Sequence, residues 1–206
     1  MNRWIVSDWH LGEDRMSIMG RPFKTGEECV EDMISRHNLV VDPSDEVIVV
    51  GDVCYQKRLD MLPVVSRFNG KKTLVRGNHD RALSDSDLAP FFHTVVPDGD
   101  GLIVEACDIS CFVTHYPTRG SNCLFNLVGH IHSAWKYQLN MLNVGVDVHH
   151  FCPVNLDTIR FHLDAISKYY DDDVWVAYHS SNTEWKRIRG KPGSYFTGVA
   201  GIKGES

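Results

Sequence analysis

The run Glu46-Val47-Ile48-Val49-Val50 is apolar, β-branched and of strand length, and it stops abruptly at Gly51-Asp52. Such a run, without polar alternation, is the pattern of a strand buried on both faces. Similar runs at 3–7, 72–76, 109–114 and 124–128 also end at polar turns. These are Ser7-Asp8-Trp9-His10, Arg76-Gly77-Asn78-His79-Asp80, Thr114-His115-Tyr116-Pro117 and Gly129-His130-Ile131-His132. In open α/β sheets, ligands bind outside the carboxyl ends of the strands. Five strand ends that each carry a metal-competent side chain therefore predict one shared site.

The segments between these strands complete the fold prediction. Thr25-x-x-Glu28 is a capping box opening a helix over 25–38, with Cys29, Met33, Ile34 and His37 on one face. Asp42-Pro43-Ser44-Asp45 is a turn, 59–68 is helical despite Pro63, and a short helix lies within 84–92. Strands at 101–106 and 139–144 add to a strand-rich second half. A helix at 156–170 follows, N-capped by Asn155 and striped by Leu156, Ile159, Leu163 and Ile166. A βαβαβ half followed by closely spaced strands predicts an α/β, four-layer α/β/β/α sandwich, two mixed sheets flanked by helices. The chain has 206 residues, which suits one domain over 1–170, with 171–206 as a C-terminal extension packed on it and Trp175 and Trp185 covering an apolar patch.

Charge and cysteine usage narrow the function classes. With 21 Lys+Arg against 27 Asp+Glu, the net charge of −6 argues against coating nucleic acid through a basic surface. No run approaches the ~18 apolar residues of a membrane span, and the N-terminus lacks the apolar core of a signal peptide. A cytoplasmic chain with six reduced cysteines is expected. None is in a CxxC pair, and Cys107 and Cys111, in and around a strand, do not read as a zinc knuckle.

Eleven histidines are many for this length, and histidine is the commonest metal ligand. In Asp8-x-His10 and His130-x-His132, residues i and i+2 point the same way if the segment is extended. Asp52 has two oxygens and can bridge two cations. Asp8, His10, Asp52, Asn78, His115, His130 and His132 together offer imidazoles, carboxylates and an amide oxygen, a mixture that suits Mn, Fe, Zn or Ni better than Ca or Mg. Two ions ~3.5–4 Å apart form the clamp used for in-line displacement at phosphorus. By contrast, His37 reads as a helix-packing residue, and His93, His162 and His179 as surface or cap residues.

Taken in order, Asp8-x-His10, Gly51-Asp52, Gly77-Asn78-His79-Asp80, His115 and Gly129-His130-x-His132 resemble the five-block signature of calcineurin-like metallophosphoesterases over residues ~3–160. Gly20-Arg21-Pro22-Phe23 before the capped helix, and Asn143-Val144-Gly145-Val146-Asp147 followed by Pro153-Val154, are similar to a compact bacterial and bacteriophage subgroup. The resemblance implies the calcineurin-like phosphoesterase fold and two divalent ions, Mn²⁺ first, with Fe, Zn or Ni as alternatives. Asp8, His10, Asp52 and His132 would hold one ion; Asp52, Asn78, His115 and His130 would hold the other. A hydroxide between the metals would attack phosphorus. His79 would protonate the leaving oxygen or bind the phosphoryl group, with Asp80 fixing its tautomer.

The implied activity is hydrolysis of a small, nucleotide-type or other phosphodiester in the cytoplasm, or the host cytoplasm for a bacteriophage chain. The alternatives are a phosphomonoesterase or protein phosphatase, and a metal-dependent nuclease. Nucleic acid would then be a substrate rather than a broad surface partner, with no membrane and an open oligomeric state. A non-catalytic binding role is disfavoured because all seven ligands and His79 are present. Arg21, Arg76 and His149 are the leading candidates for substrate contact, followed by His150, Tyr116 and Arg119.

Overall fold

The computed structural model describes residues 1–56 and 58–169. The expected extension at 171–206, with Trp175, His179 and Trp185, lies outside the described residues. In chain order the elements are β1 (Arg3–Val6), α1 (Met16–Met19), α2 (Gly26–Val40), β2 (Glu46–Val49), β3 (Lys71–Val75), α3 (Asp85–Leu88), β4 (Thr94–Val96), β5 (Leu102–Ala106), β6 (Ile109–Thr114), β7 (Phe125–Val128), β8 (Tyr137–Gln138), β9 (Met141–Asn143), β10 (Val154–Asn155) and α4 (Ile159–Tyr169).

They form two five-stranded mixed sheets, ordered β10-β1-β2-β3-β4 and β5-β6-β7-β9-β8. In the first, β1 to β4 are parallel and β10 is antiparallel. In the second, β6, β7 and β9 are parallel and the two edge strands antiparallel. Parallel central strands bring the carboxyl ends of β1, β2 and β3 to one edge of the first sheet, and those of β6 and β7 to one edge of the second. Ser7 joins them: its backbone donates to Val144 at 3.1 Å and its hydroxyl to the Val50 carbonyl at 2.6 Å.

Two apolar clusters lie on opposite faces of the first sheet. Val6, Val47, Val49 and Leu74 pack against Cys29, Val30, Met33 and Ile34 of α2, and against Leu62 and Val65. Trp9 stacks on Phe68 at 4.2 Å in this layer. Ile5, Val50 and Val75 face the other way, into Cys111, Val113, Phe125, Leu127 and Leu142 of the second sheet. β2 is thus lined by apolar neighbours on both sides, as its sequence required. His37, 1% exposed, packs edge-on against Trp9 and Phe68; burial pushes its pKa down to about 4.

Several local expectations change. Thr25 caps α2 by accepting from Glu28 N at 3.2 Å, but the Glu28 carboxylate accepts from Lys24 N instead of closing a box. Residues 59–67 wind as a 3-10 helix around Pro63, whose missing N–H and fixed φ suit a tighter, shorter coil. The full reciprocal box occurs instead at Ser84 and Asp87, before α3. The apolar stripe of α4 (Ile159, Leu163, Ile166) joins the cluster between the sheets. On the opposite face of the second sheet, buried Asn126 and Asn143 donate to the carbonyls of Ser121, Leu124, His132 and Trp135. Buried amides need free carbonyls, which loops offer and a helix interior does not.

Candidate metal centre

Asp8, His10, Asp52, His130 and His132, five of the seven expected ligands, sit at positive φ: 62°, 50°, 55°, 76° and 49°. Left-handed backbone costs a non-glycine residue about 1–3 kcal/mol and gathers at functional sites. Asp and His are among the residues that tolerate it best. The Asp8-x-His10 and His130-x-His132 pairs therefore converge through left-handed turns, not through the extended backbone their spacing suggested. Neighbouring strands hold these turns. Asp8 N donates to Gly51 O at 3.2 Å, and His10 N to Asp52 O at 3.0 Å. His130 N donates to both Asp8 carboxylate oxygens, at 3.1 and 3.0 Å. Gly77 leaves the clearance this requires: a Cβ there would lie 2.4 Å from Asp52 Oδ1 and 2.8 Å from His115 Nε2.

Ligand-type atoms gather in three triads, each within 4.8 Å: Asp8-His10-His132, Asp52-His115-His130 and His10-Asp52-His79. The first two match the two expected ion positions, and the third brings His79 between them. Asp52 Oδ2 lies 3.4 Å from both His10 Nε2 and His115 Nε2, so one carboxylate oxygen faces an imidazole of each set. Asn78 Oδ1 is 3.2 Å from His115 Nε2.

The imidazoles are presented as ligands. His115 Nδ1 donates to the Val50 carbonyl at 2.7 Å and His132 Nδ1 to Asp147 Oδ2 at 2.8 Å. In the neutral tautomer both therefore turn an Nε2 lone pair inward. His10 is 4% exposed, and neither of its ring nitrogens has a hydrogen-bond partner. An imidazole buried without partners loses its hydration for nothing, unless a cation is the missing partner. On these grounds the residues fit the binding of metal ions.

The local charges agree. Burial works against ionising Asp52, but the His10 and His115 rings, each 3.4 Å from its Oδ2, outweigh it and hold the carboxyl well below the usual range. Burial opposes protonation of His115, yet the Asp52 and Asp8 carboxylates beside it raise its pKa to about 9.

The three leading candidates for substrate contact are otherwise engaged. Arg21, 4% exposed, donates to Asp147 Oδ1 at 2.8 Å and to the Asp8 and Trp9 carbonyls at 2.7 and 3.0 Å. Arg76 donates to the Asp80 and Leu83 carbonyls and to Asp85, closing the turn after β3. His149 Nε2 donates to the Asn143 carbonyl at 2.7 Å, and burial pushes its pKa down to about 4. All three are fastened to the protein rather than facing the centre.

Asp80 also differs from expectation. It is fully buried and its oxygens accept from the backbone N–H groups of Asp52, Val53 and Gly77 at 2.8, 3.0 and 2.9 Å. Burial, with some repulsion from Asp52, pushes its pKa up to about 6 against those hydrogen bonds. The tautomer of His79 is set instead by Gln56, whose backbone N–H donates to His79 Nδ1 at 3.1 Å.

Asp147, which accepts from both Arg21 and His132, is the neighbour of the cluster that residue-type reasoning passed over. Its only sequence signal is the Asn143–Asp147 segment. Asp147→Asn should weaken binding at the Asp8-His10-His132 position by roughly 10–100-fold, the usual effect of removing a carboxylate behind a ligating histidine. Competition with a chromophoric chelator would measure this, and equal loss at both positions would count against it.

No family model matches the chain, and no curated protein matches it. Among solved structures, it is similar to a protein of unknown function from Aquifex aeolicus, with a TM-score of 0.63 and 21% identity, covering 78% of this chain and 98% of that one. That likeness is one of fold. An archaeal phosphodiesterase overlaps at TM-score 0.42 and 20% identity, over 70% and 82% of the two chains. A phosphopantetheinyl hydrolase from Mycobacterium tuberculosis overlaps at 0.32 and 15%, over 92% and 64%. Both superpositions are too loose for their sites to be compared.

Proposed function

We propose that the chain is a metal-dependent phosphoesterase that hydrolyses a small phosphodiester at the centre formed by Asp8, His10, Asp52, Asn78, His115, His130 and His132. The observation that carries this reading is the pair of triads, Asp8-His10-His132 and Asp52-His115-His130, joined by the 3.4 Å approach of Asp52 Oδ2 to His10, whose buried ring nitrogens have no hydrogen-bond partner. Two divalent ions, Mn²⁺ in the first instance, would supply positive charge for the phosphoryl oxygens and lower the pKa of attacking water.

The chain's own residues do the rest. Burial lowers the pKa of His79, with the Asp52 charge opposing, so at neutral pH its ring is uncharged. With Nδ1 accepting from Gln56, its proton resides on Nε2, on the ring that joins His10 and Asp52 in the third triad. That N–H is a fixed donor for a phosphoryl oxygen. Asp80 holds the backbone of Asp52, Val53 and Gly77, and Asp147 with Arg21 holds His132 and the Asp8 turn.

A nuclease with a basic groove is less well supported. Lys72, one of the cations available for it, is 7% exposed and donates to the Phe68 and Gly70 carbonyls. Arg76 is fastened as above, and Arg81 pairs with Asp98.

The test is hydrolysis of bis-p-nitrophenyl phosphate against p-nitrophenyl phosphate after Mn²⁺ loading. Diester turnover should dominate. Faster monoester turnover would make the protein a phosphomonoesterase, and no turnover of either with metal bound would refute the enzyme reading.

A further inference from the structure

Arginine is the residue best shaped to hold a phosphate, through a planar fork of N–H donors. Nearly all of those described here are already committed. Arg15, Arg58 and Arg81 pair with Glu13, Asp60 and Asp98, and the guanidinium groups of Arg3, Arg21, Arg36, Arg67, Arg76 and Arg160 likewise donate within the protein. Among the described residues, Arg119 is the one arginine whose guanidinium makes neither an ion pair nor a hydrogen bond.

Its position is unusual for a solvated surface side chain. The guanidinium lies 4.7 Å over the Tyr116 ring. That ring meets His115 and His130, both of the second triad, edge-on at 4.9 and 5.1 Å. Tyr116 is 9% exposed, and its hydroxyl is pinned, donating to Asp98 at 2.9 Å and accepting from Arg81 at 2.9 Å. Gly99 backs the guanidinium, where a Cβ would come within 2.1 Å of Arg119 Nη1. A guanidinium laid on a fixed ring keeps its in-plane N–H groups free and loses little rotamer freedom when it binds.

We infer that Arg119 binds a second oxyanion of the substrate, a phosphate or carboxylate group beyond the scissile phosphodiester, on the His115–His130 side of the centre. The inference rests on the phosphodiesterase reading. It assigns specificity to the stack of Arg119 on Tyr116, and the substrate to the class of diesters that carry a further negative charge.

Thymidine 5′-(p-nitrophenyl phosphate), its 3′-phosphate and its 3′-hemisuccinate share a leaving group and differ in the appended anion. The Mn²⁺-loaded protein should favour at least one of the two probes with an appended anion in kcat/KM by roughly 10–100-fold, the size of a charge-assisted pair of hydrogen bonds. Which probe is favoured separates phosphate from carboxylate. Arg119→Ala should abolish that preference, chiefly through KM, and Arg119→Lys should restore part of it. Calorimetry provides a readout independent of turnover: thymidine 3′,5′-bisphosphate should bind tighter than thymidine 5′-monophosphate, and Arg119→Ala should close the gap. A wild type indifferent to the second charge in both assays, or a preference that survives in Arg119→Ala, overturns the inference. Absence of turnover with an Arg119-dependent binding difference would instead overturn the phosphodiesterase reading alone.

Discussion

Replacing Asp52 by alanine should empty both metal positions at once and reduce phosphodiester turnover by more than the ~10²–10³-fold that loss of one transition-state donor costs. Asp52 is the single side chain common to both expected ion sets. Its Oδ2 faces His10 and His115 at 3.4 Å each, and its Oδ1 accepts from the His79 backbone N–H at 2.9 Å. Alanine would remove the one carboxylate that faces both imidazoles and leave Asp8 as the remaining buried anion beside them. Metal analysis after gel filtration should show neither ion retained, whereas His132→Ala, whose ring is tied, among the described residues, only to Asp147, should spare the Asp52-His115-His130 position. Thermal melting separates this from misfolding, because Asp80 grips the backbone of Asp52 rather than its carboxylate. An Asp52→Ala protein that keeps two ions would remove Asp52 from the bridging position.

That these candidate ligands gather in one place was legible in the sequence because each is tied to something local. Every one lies one to four residues past a strand, and the parallel topology brings those ends together. What decided the other roles was not local. Arg21 read as a free cation, yet its partner Asp147 stands 126 positions further along the chain. Arg76 and Arg119 are the same residue type in similar turns. Only the folded structure shows that Arg76 closes its own loop while Arg119 lies uncommitted on Tyr116. The left-handed turns at Asp8, His10, Asp52, His130 and His132 carry no periodic signal, since one residue in that conformation has no repeat to detect. Short strands were lost for the same reason. β4 has three residues and β8 two, and both are fixed by pairing with β3 and β9 rather than by their own pattern.

Removing the His79 ring should lower kcat by about 10²–10³-fold while leaving metal content unchanged. The manner of the loss tells which of two tasks the ring performs. A general acid matters most when the leaving group is poor, so its loss would be severe for an alkyl diester and slight for a p-nitrophenyl one. A neutral donor to a phosphoryl oxygen serves both substrates equally. Gln56 N–H on His79 Nδ1 and the lowered pKa of the ring favour the neutral donor. His79→Ala should therefore lose about the same factor on bis-p-nitrophenyl phosphate and on a methyl p-nitrophenyl diester followed at either ester bond. His79→Gln, which keeps an N–H donor, should recover part of it. The sign with pH follows. As pH falls through the lowered pKa of His79, its Nδ1 takes a proton and can no longer accept from Gln56, so the ring loses the bond that aims its Nε2–H and wild-type kcat should fall on the acid side. An imidazolium acid would make it rise there instead. A loss confined to the poorer leaving group, or activity that climbs as the ring protonates, would return proton transfer to His79.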